Sequence, residues 1–235
     1  MREFKFALKQ TFPIFFAYIF LGIAFGIMMT EASFSILTTV LCSVFIYAGS
    51  MQIAMIPMLV AGASFPVLAV MTFFINARHL FYGVGFIDKF RRSGWRYPYM
   101  VFALTDETYS ILCSVKYPSG INEKNADFLI ALCNQSYWIL GSFLGAVAGR
   151  FLPFDLSGIE FSATAFFLVV VLNQLSQYKS KIPVLTGLIS AVVFYVILGA
   201  EYFIIPSLTV AFITLIILRD VISRRLGISK EVPHA

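Results

Sequence analysis

The stretch FSILTTVLCSVFIYAGSMQIAMIPMLVAGASFPVLAVMTFF, residues 34–74, contains no charged side chain, and it decides the fold class. A helix needs about 20 consecutive apolar residues to cross a bilayer, and this stretch has room for two such helices. Because lipid offers no hydrogen-bond partner to exposed backbone, an uncharged run of this length is expected to be helical. We therefore predict an all-α integral membrane protein.

Further apolar runs on both sides of this stretch extend the same pattern. The chain is 60% hydrophobic and 12% charged, whereas a soluble domain has about 25% charged residues. Eight hydrophobic segments follow one another, at roughly 12–30, 36–62, 66–86, 98–115, 129–149, 161–176, 183–200 and 202–218. We predict a polytopic helical bundle of about seven to eight segments. It forms a single transmembrane domain over residues 1–235, with internal halves at about 10–115 and 128–220.

Basic residues indicate how the chain is oriented. The net charge of +5 could suggest nucleic acid in a soluble protein, but here the Lys and Arg residues lie between apolar segments. They form three clusters, at residues 2–9, 89–96 and 219–230. The positive-inside rule places all three in the cytoplasm, and the N-terminus with them. Three hydrophobic segments separate the first two clusters and five separate the last two, and odd numbers of plain crossings cannot return to one side.

Interrupted helices would resolve this conflict. The second segment contains Tyr47-Ala-Gly-Ser-Met-Gln52, and the polar stretch 172–179 ends an apolar run in the second half. Each follows a glycine-spaced helix, with Gly22-x3-Gly26 in the first half and Gly141-x3-Gly145-x3-Gly149 in the second; small residues at this spacing allow close helix contact. If one segment of each half is broken or re-entrant, the halves form an inverted repeat. The alternative is a miscounted segment and no repeat.

Four ionisable side chains lie inside these segments, where a charge costs about 2.5–3.5 kcal/mol. Arg78 lies eleven residues before Lys89, and Asp106 lies ten after Arg96. At about 1.5 Å per residue, both are expected roughly 15 Å from the same cytoplasmic loop. One reading is a buried salt bridge that holds the third and fourth segments together; the other is a functional site. The candidates for a charge pair or ion coupling are Arg78, His79, Asp106 and Glu107.

A zwitterionic amino acid suits this group of residues. Its carboxylate needs a cation or the free N–H groups of a half-helix, and its ammonium needs an acid or a free carbonyl. Asn76 and His79 fall on one helical face, and Arg78 is expected to point elsewhere. The candidate substrate-binding residues are Tyr47, Gly49, Ser50, Gln52, Asn76, Arg78 and His79. The three cysteines lack metal-ligand spacing, so we predict no metal and no cofactor.

Three blocks resemble the AzlC family, the large subunit of bacterial branched-chain amino acid exporters. They are Tyr47–Ile53, Ile75–Gly83 and Leu104–Thr108. The resemblance implies export of leucine, isoleucine and valine across the cytoplasmic membrane, driven by an ion gradient. It also implies a small AzlD-type membrane subunit as partner. Asn173 departs from the family pattern, in which an acidic residue is expected, so the resemblance does not give it a role in coupling.

Two other functions compete with this interpretation. The chain would be a channel, or a transporter for another small solute, if its polar groups line a pore and do not bind an amino acid. It would be an intramembrane hydrolase if Ser50 and His79 form a catalytic dyad. The sequence around Ser50 lacks the G-x-S-x-G pattern of a nucleophile elbow, so we expect no enzymatic activity.

Overall fold

A computed structural model describes residues 2–151, Leu168, Leu172 and 181–218, and every regular element in these ranges is a helix. The chain is divided into two compact units, residues 1–159 and residues 160–235. A single 3₁₀ turn spans Gly94–Arg96. The α-helices are α1 Arg2–Glu31, α2 Ile36–Phe45, α3 Gly49–Val60, α4 Phe65–Arg91, α5 Tyr97–Phe102, α6 Asp106–Ser114, α7 Glu123–Phe151, α8 Ile182–Tyr202 and α9 Ile204–Ile217.

Three helices of the described ranges are long and apolar enough to cross a membrane: α1, α7 and residues 182–199 of α8. A fourth is α4, if its two parts, which meet at a 56° bend between Leu80 and Tyr82, count as one span. The predicted all-α membrane fold is confirmed, but the count of seven to eight segments is not. Residues 173–179 of the predicted irregular stretch and most of the segment at 161–176 lie outside the described residues.

The first unit is built around a close contact between α1 and α7. Gly22 packs on the backbone of Gly141, and Gly26 packs on Gly145 and its neighbours, so the two helices run parallel. A methyl group added at Gly26 or Gly145 would overlap backbone atoms of the opposite helix. Both glycine patterns were expected to allow close contact, and the structure shows that they meet each other.

The predicted interruption of the second hydrophobic segment is present between α2 and α3. Tyr47 has a positive φ of 43° there, which a helix cannot continue. Side chains bond the backbone groups that the break leaves free. Gln52 Oε1 accepts from the N–H of Ala48 at 3.1 Å, and Gln135 Nε2 of α7 donates to the carbonyl of Val44 at 3.0 Å.

The hydrophobic segment predicted at 98–115 is not one continuous helix, because residues 103–105 separate α5 from α6. Thr105 is the N-cap of α6, and its side chain accepts a hydrogen bond from the N–H of Thr108. Asp106 and Glu107 occupy the first turn, where the partial positive charge of a helix start favours acids. A threonine followed by two acids is a helix-start pattern that hydropathy alone does not reveal.

Residues 97–114 form a hairpin of two half-helices. Arg96, just before α5, donates to Asn125 Oδ1 at 2.6 Å, and Tyr117, just after α6, donates to Asp127 Oδ1 at 2.5 Å. Both partners lie in the first turns of α7. The break between the half-helices instead reaches the middle of α1, where Thr105 Oγ1 lies 2.8 Å from the hydroxyl of Tyr18.

The α2–α3 segment enters from the opposite end. Lys89 Nζ, near the end of α4, lies 2.8 Å from Asp127 Oδ2, so α4 ends where α7 starts. The two bent parts of α4 rise about 1.5 Å per residue, which places the beginning of α4 roughly 35 Å from its end beside the start of α7. Residues 61–64 join α3 to that far end, and residues 32–35 join α2 to the far end of α1. The first unit therefore holds two hairpins that approach each other from opposite ends.

Candidate functional site

The side chain of Arg78 connects the two hairpins. It extends from α4 shortly before the bend, and its Nη2 lies 3.1 Å from Ser50 Oγ and 3.0 Å from Asp106 Oδ2. Ser50 is the second residue of α3 and Asp106 is the first of α6. A helix start carries N–H groups without an intrahelical partner and a partial positive charge. One guanidinium group therefore joins two half-helix starts that can both attract an anion.

This ion pair is partly open. The side chains of Arg78 and Asp106 are 32% and 36% exposed, and His79 Nε2 lies 3.9 Å from Asp106 Oδ1. Charges inside a membrane segment face a partner or a water-filled cavity, so a pair with this exposure needs water or a polar ligand beside it.

The expectation that Arg78 points away from His79 is wrong, because both side chains reach Asp106 from adjacent positions. The flexible stem of arginine spans the 100° that separates neighbouring residues on a helix. Asn76 is half-buried, and within the described ranges no hydrogen bond or ion pair joins it to the other candidate residues.

The two neighbouring acids have different partners. Asp106 faces Arg78 and His79, whereas Glu107 Oε2 accepts a hydrogen bond from the hydroxyl of Tyr18 on α1 at 2.5 Å. Tyr18 was missed by sequence reasoning, since a tyrosine in an apolar run gives no sign that it binds an acid.

Polar side chains of α7 form hydrogen bonds with residues beside both helix breaks. Trp138 Nε1 donates to Gln52 Oε1 at 3.1 Å, and Asn134 Nδ2 donates to Thr108 Oγ1 at 3.1 Å. A Cβ atom at Gly49 would lie 3.2 Å from the ring of Trp138. Gly49 and Gln52 are thus both engaged by Trp138, which sequence reasoning also missed because its neighbours are apolar.

Five buried polar atoms around these breaks have no hydrogen-bond partner in the part of the chain that the structure describes. Buried polar groups are bonded in roughly 90% of cases or more, so a group of exceptions marks a place where a ligand or water completes the bonding. The set comprises donors, acceptors and one hydroxyl. The atoms are Tyr47 OH, Gln52 Nε2, Arg78 Nε, Asp106 Oδ1 and Asn134 Oδ1.

The geometry required for hydrolysis is not formed at Ser50. Its hydroxyl accepts from Arg78, and no hydrogen bond between Ser50 and His79 is present among the described residues. Within residues 2–151 and 181–218, no group of three His, Cys, Asp or Glu side chains lies close enough to hold a metal ion.

A multi-pass helical membrane protein with a charged site at broken helices is the class that this fold and site define. The chain belongs to the AzlC protein family, whose model matches residues 13–152 and so includes every candidate site residue. The resemblance found in the sequence is confirmed. Membership supports a membrane transport role and points away from an enzyme.

Similar proteins come from several organisms. The chain is 36% identical over 217 residues to the branched-chain amino acid transport protein AzlC of Bacillus subtilis, covering 92% of this chain and 85% of that protein. It is 35% identical over 219 residues to an uncharacterized membrane protein of Helicobacter pylori J99, covering 93% and 96%. It is 28% identical over 211 residues to the inner membrane protein YgaZ of Escherichia coli K12, covering 84% and 81%. No solved structure matches the chain.

Proposed function

We propose that this protein is the large subunit of a secondary transporter that exports branched-chain and other hydrophobic amino acids across the bacterial cytoplasmic membrane. The observation that carries the proposal is the position of Arg78 between Ser50 and Asp106 at two half-helix starts. The name of the Bacillus subtilis relative supports the choice of substrate. We further propose that a small AzlD-type membrane subunit is its partner.

In this proposal the amino acid inserts into the ion pair. Its carboxylate binds Arg78 and the N–H groups near Ser50, and its ammonium binds Asp106. Each charge of the pair exchanges one partner for another, so neither is left uncompensated, which is the costly outcome for a buried charge. The unpartnered Arg78 Nε and Asp106 Oδ1 supply a donor and an acceptor for the two ends of the ligand. We keep Tyr47, Gly49, Gln52, Asn76 and His79 as residues that shape the site.

We propose that the end where α1 and α7 start is cytoplasmic. Nine basic residues lie at this end of the first unit, as the positive-inside rule requires. They are Arg2, Lys5, Lys9, Lys89, Arg91, Arg92, Arg96, Lys116 and Lys124. The α5–α6 hairpin then enters from the cytoplasm and the α2–α3 hairpin from outside, which gives each half-helix start access from one side. The inverted repeat between residues 10–115 and 128–220 stays a prediction.

Efflux of labelled leucine from vesicles that contain the purified chain, with and without the small subunit, tests the proposal. Arg78→Ala is expected to abolish efflux per folded molecule, whereas Arg92→Ala, an exposed arginine of the loop after α4, is expected to retain it. A carrier gives efflux that saturates with leucine and is accelerated by leucine on the opposite side; a channel gives neither. Normal efflux per folded molecule in Arg78→Ala would contradict the proposed site.

A further inference from the structure

Glu107 is the acid that the proposed substrate site leaves unused. It is half-buried, and in the described residues it has no cationic partner within ion-pair distance, whereas its neighbour Asp106 has Arg78. Its hydrogen bond from Tyr18, at 2.5 Å, is among the shortest of the first unit. An acid without a cation in a membrane segment is costly when ionised, so it usually has a function.

Glu107 ends a directed chain of hydrogen bonds. Asn134 Nδ2 donates to Thr108 Oγ1 at 3.1 Å, the hydroxyls of Thr108 and Thr105 are 3.2 Å apart, and those of Thr105 and Tyr18 are 2.8 Å apart. Each hydroxyl has one proton to donate, and an ionised Glu107 can only accept, so the Tyr18 donation to Glu107 fixes the direction of the chain. Glu107 Oε2 is its final acceptor, and every hydroxyl proton in the chain is already used.

Tyr47 supplies a second feature of this pocket. Its ring is only 4% exposed, and its hydroxyl lies near those of Tyr18 and Thr105 and near Glu107, yet it forms no geometrically complete hydrogen bond among the described residues. A carboxylate needs donors, whereas a carboxylic acid also needs an acceptor for its own proton. A buried hydroxyl beside the acid, such as that of Tyr47, is able to supply an acceptor of this kind.

We propose that Glu107 is a proton-binding site that couples transport to the proton gradient, separate from the amino-acid site at Arg78 and Asp106; this inference rests on the proposed function. The carboxylate takes one proton from water on one side of the membrane and forms an O–H bond. It holds the proton between Tyr18 and Tyr47 and returns it to water on the other side. No other bond forms or breaks, and no other reactant is needed.

The surrounding charges give the coupling a direction. Glu107 faces Tyr18 of α1, Tyr47 of the α2–α3 break and Asp106 of its own helix. Arg78 of α4 balances the charge of Asp106, His79 lies 3.9 Å from the same carboxylate, and α7 contributes the neutral Asn134. When Glu107 is ionised, a second negative charge lies beside the ammonium site and favours a bound amino acid. When it is protonated, that attraction is lost. Proton and amino acid therefore bind in alternation, as export driven by proton entry requires.

Glu107→Gln separates coupling from binding, because the amide keeps the size and the acceptor oxygen of the acid but cannot take up a proton. In vesicles it is expected to retain leucine–leucine exchange at saturating leucine, with a weaker apparent affinity because the neutral amide lacks the added attraction, and to lose roughly tenfold or more of the efflux driven by a pH gradient. Glu123→Gln, an exposed acid at the start of α7, is the matched control and should retain both. Gradient-driven efflux at the wild-type level in Glu107→Gln would overturn the proposal.

Proton release on leucine binding gives a second readout, measured with a pH-sensitive dye in weakly buffered detergent solution. The wild-type protein is expected to release protons when leucine is added, and Glu107→Gln to bind leucine at higher leucine concentrations without release. Folded Glu107→Gln that binds no leucine would place the acid in the substrate site and overturn this inference, but not the proposed function. Wild-type protein that binds no leucine would overturn both.

Tyr18→Phe keeps the test decisive if the glutamine variant does not fold. It removes the hydroxyl that donates to the Glu107 carboxylate, so the ionised acid loses a stabilising donor. Leucine–leucine exchange should persist while the pH profile of gradient-driven efflux moves to higher pH, and an unchanged profile in folded Tyr18→Phe would contradict the role of this pocket.

Discussion

Arg78 Nη2 lies 3.0 Å from Asp106 Oδ2, a contact that joins α4, shortly before its bend, to the first residue of α6. The contact joins a bent helix to a half-helix start, and each is a place where the regular helical pattern stops. A ligand that separates Arg78 from Asp106 therefore acts on both elements at once. Ligand binding between Arg78 and Asp106 can therefore move the α5–α6 hairpin directly.

Arg78→Ala and Asp106→Asn are expected to be non-additive, because the two side chains share one contact. The double mutant should be more stable than the sum of the single losses by more than about 0.5 kcal/mol. Thermal unfolding in detergent measures the cycle. Arg78→Ala combined with Asp127→Asn, whose carboxylate instead pairs with Lys89, is the control and should be additive. Additivity for Arg78 and Asp106 as well would show that they do not interact in the membrane protein.

The glycine contact between α1 and α7 predicts a sharp steric effect. Gly145→Ala is expected to destabilise the protein by about 1–3 kcal/mol, because its methyl group would overlap the backbone of Ile23. Gly85→Ala, in α4 with nothing within 4 Å of the added methyl, should be neutral or stabilising. Melting temperatures of the two variants decide the matter: equal values would mean that α1 and α7 are not in close contact.

The two opposed hairpins predict the sidedness of three loops. In a chain whose native cysteines are replaced, Ala63→Cys should react with an impermeant thiol reagent from outside the cell. Ser93→Cys and Ser119→Cys, on either side of the α5–α6 hairpin, should both react only from the cytoplasm. Reaction of Ser93→Cys and Ser119→Cys from opposite sides would show that residues 97–114 cross the membrane, and the hairpin would be wrong.

Thr105→Ala removes the cap of α6 and the contact of that cap with Tyr18. We expect a loss of about 0.5–2 kcal/mol in unfolding free energy together with reduced leucine efflux per folded molecule, since Glu107 loses its ordered donor. Ser35→Ala removes the corresponding cap of α2, away from the site. It should cost similar stability and leave efflux unchanged. The claim fails if both variants affect efflux equally.

The loop after α6 predicts a pH dependence. Burial and the neighbouring Asp127 carboxylate raise the pKa of Tyr117 above its ordinary value, and the hydroxyl also accepts from Lys89 at 2.9 Å. Because the folded pKa is raised, the stabilisation is complete below the ordinary tyrosine pKa of about 10 and is lost at higher pH. The stability difference between wild type and Tyr117→Phe should be constant up to that pH and then shrink. A difference that grows above it would contradict the contact.

Much of the outline follows from the sequence. The all-α class follows from uncharged runs, and the α2–α3 break from Gly49 and Ser50 in the middle of an apolar segment. The matched depth of Arg78 and Asp106 follows from counting residues to a shared loop, since a helix converts sequence distance into length.

The rest needs three-dimensional contacts. The sequence does not show that Asp106 and Glu107 have different partners, because those partners, Arg78 and Tyr18, come from helices far apart in sequence. The α5–α6 break is short, so hydropathy averages across it. Trp138 is assigned to the break only when α7 packs beside α3.

The central claim is that Arg78 binds the carboxylate of an amino acid and that Asp106 binds its ammonium group. Competition with labelled leucine, using leucinamide and 4-methylpentanoate, tests it most directly, because each analogue lacks one charged end. Wild-type protein should prefer leucine to both analogues. Arg78→Ala should lose its preference over leucinamide alone, and Asp106→Asn its preference over 4-methylpentanoate alone. If both variants keep the wild-type order of all three ligands, Arg78 and Asp106 do not bind the amino acid.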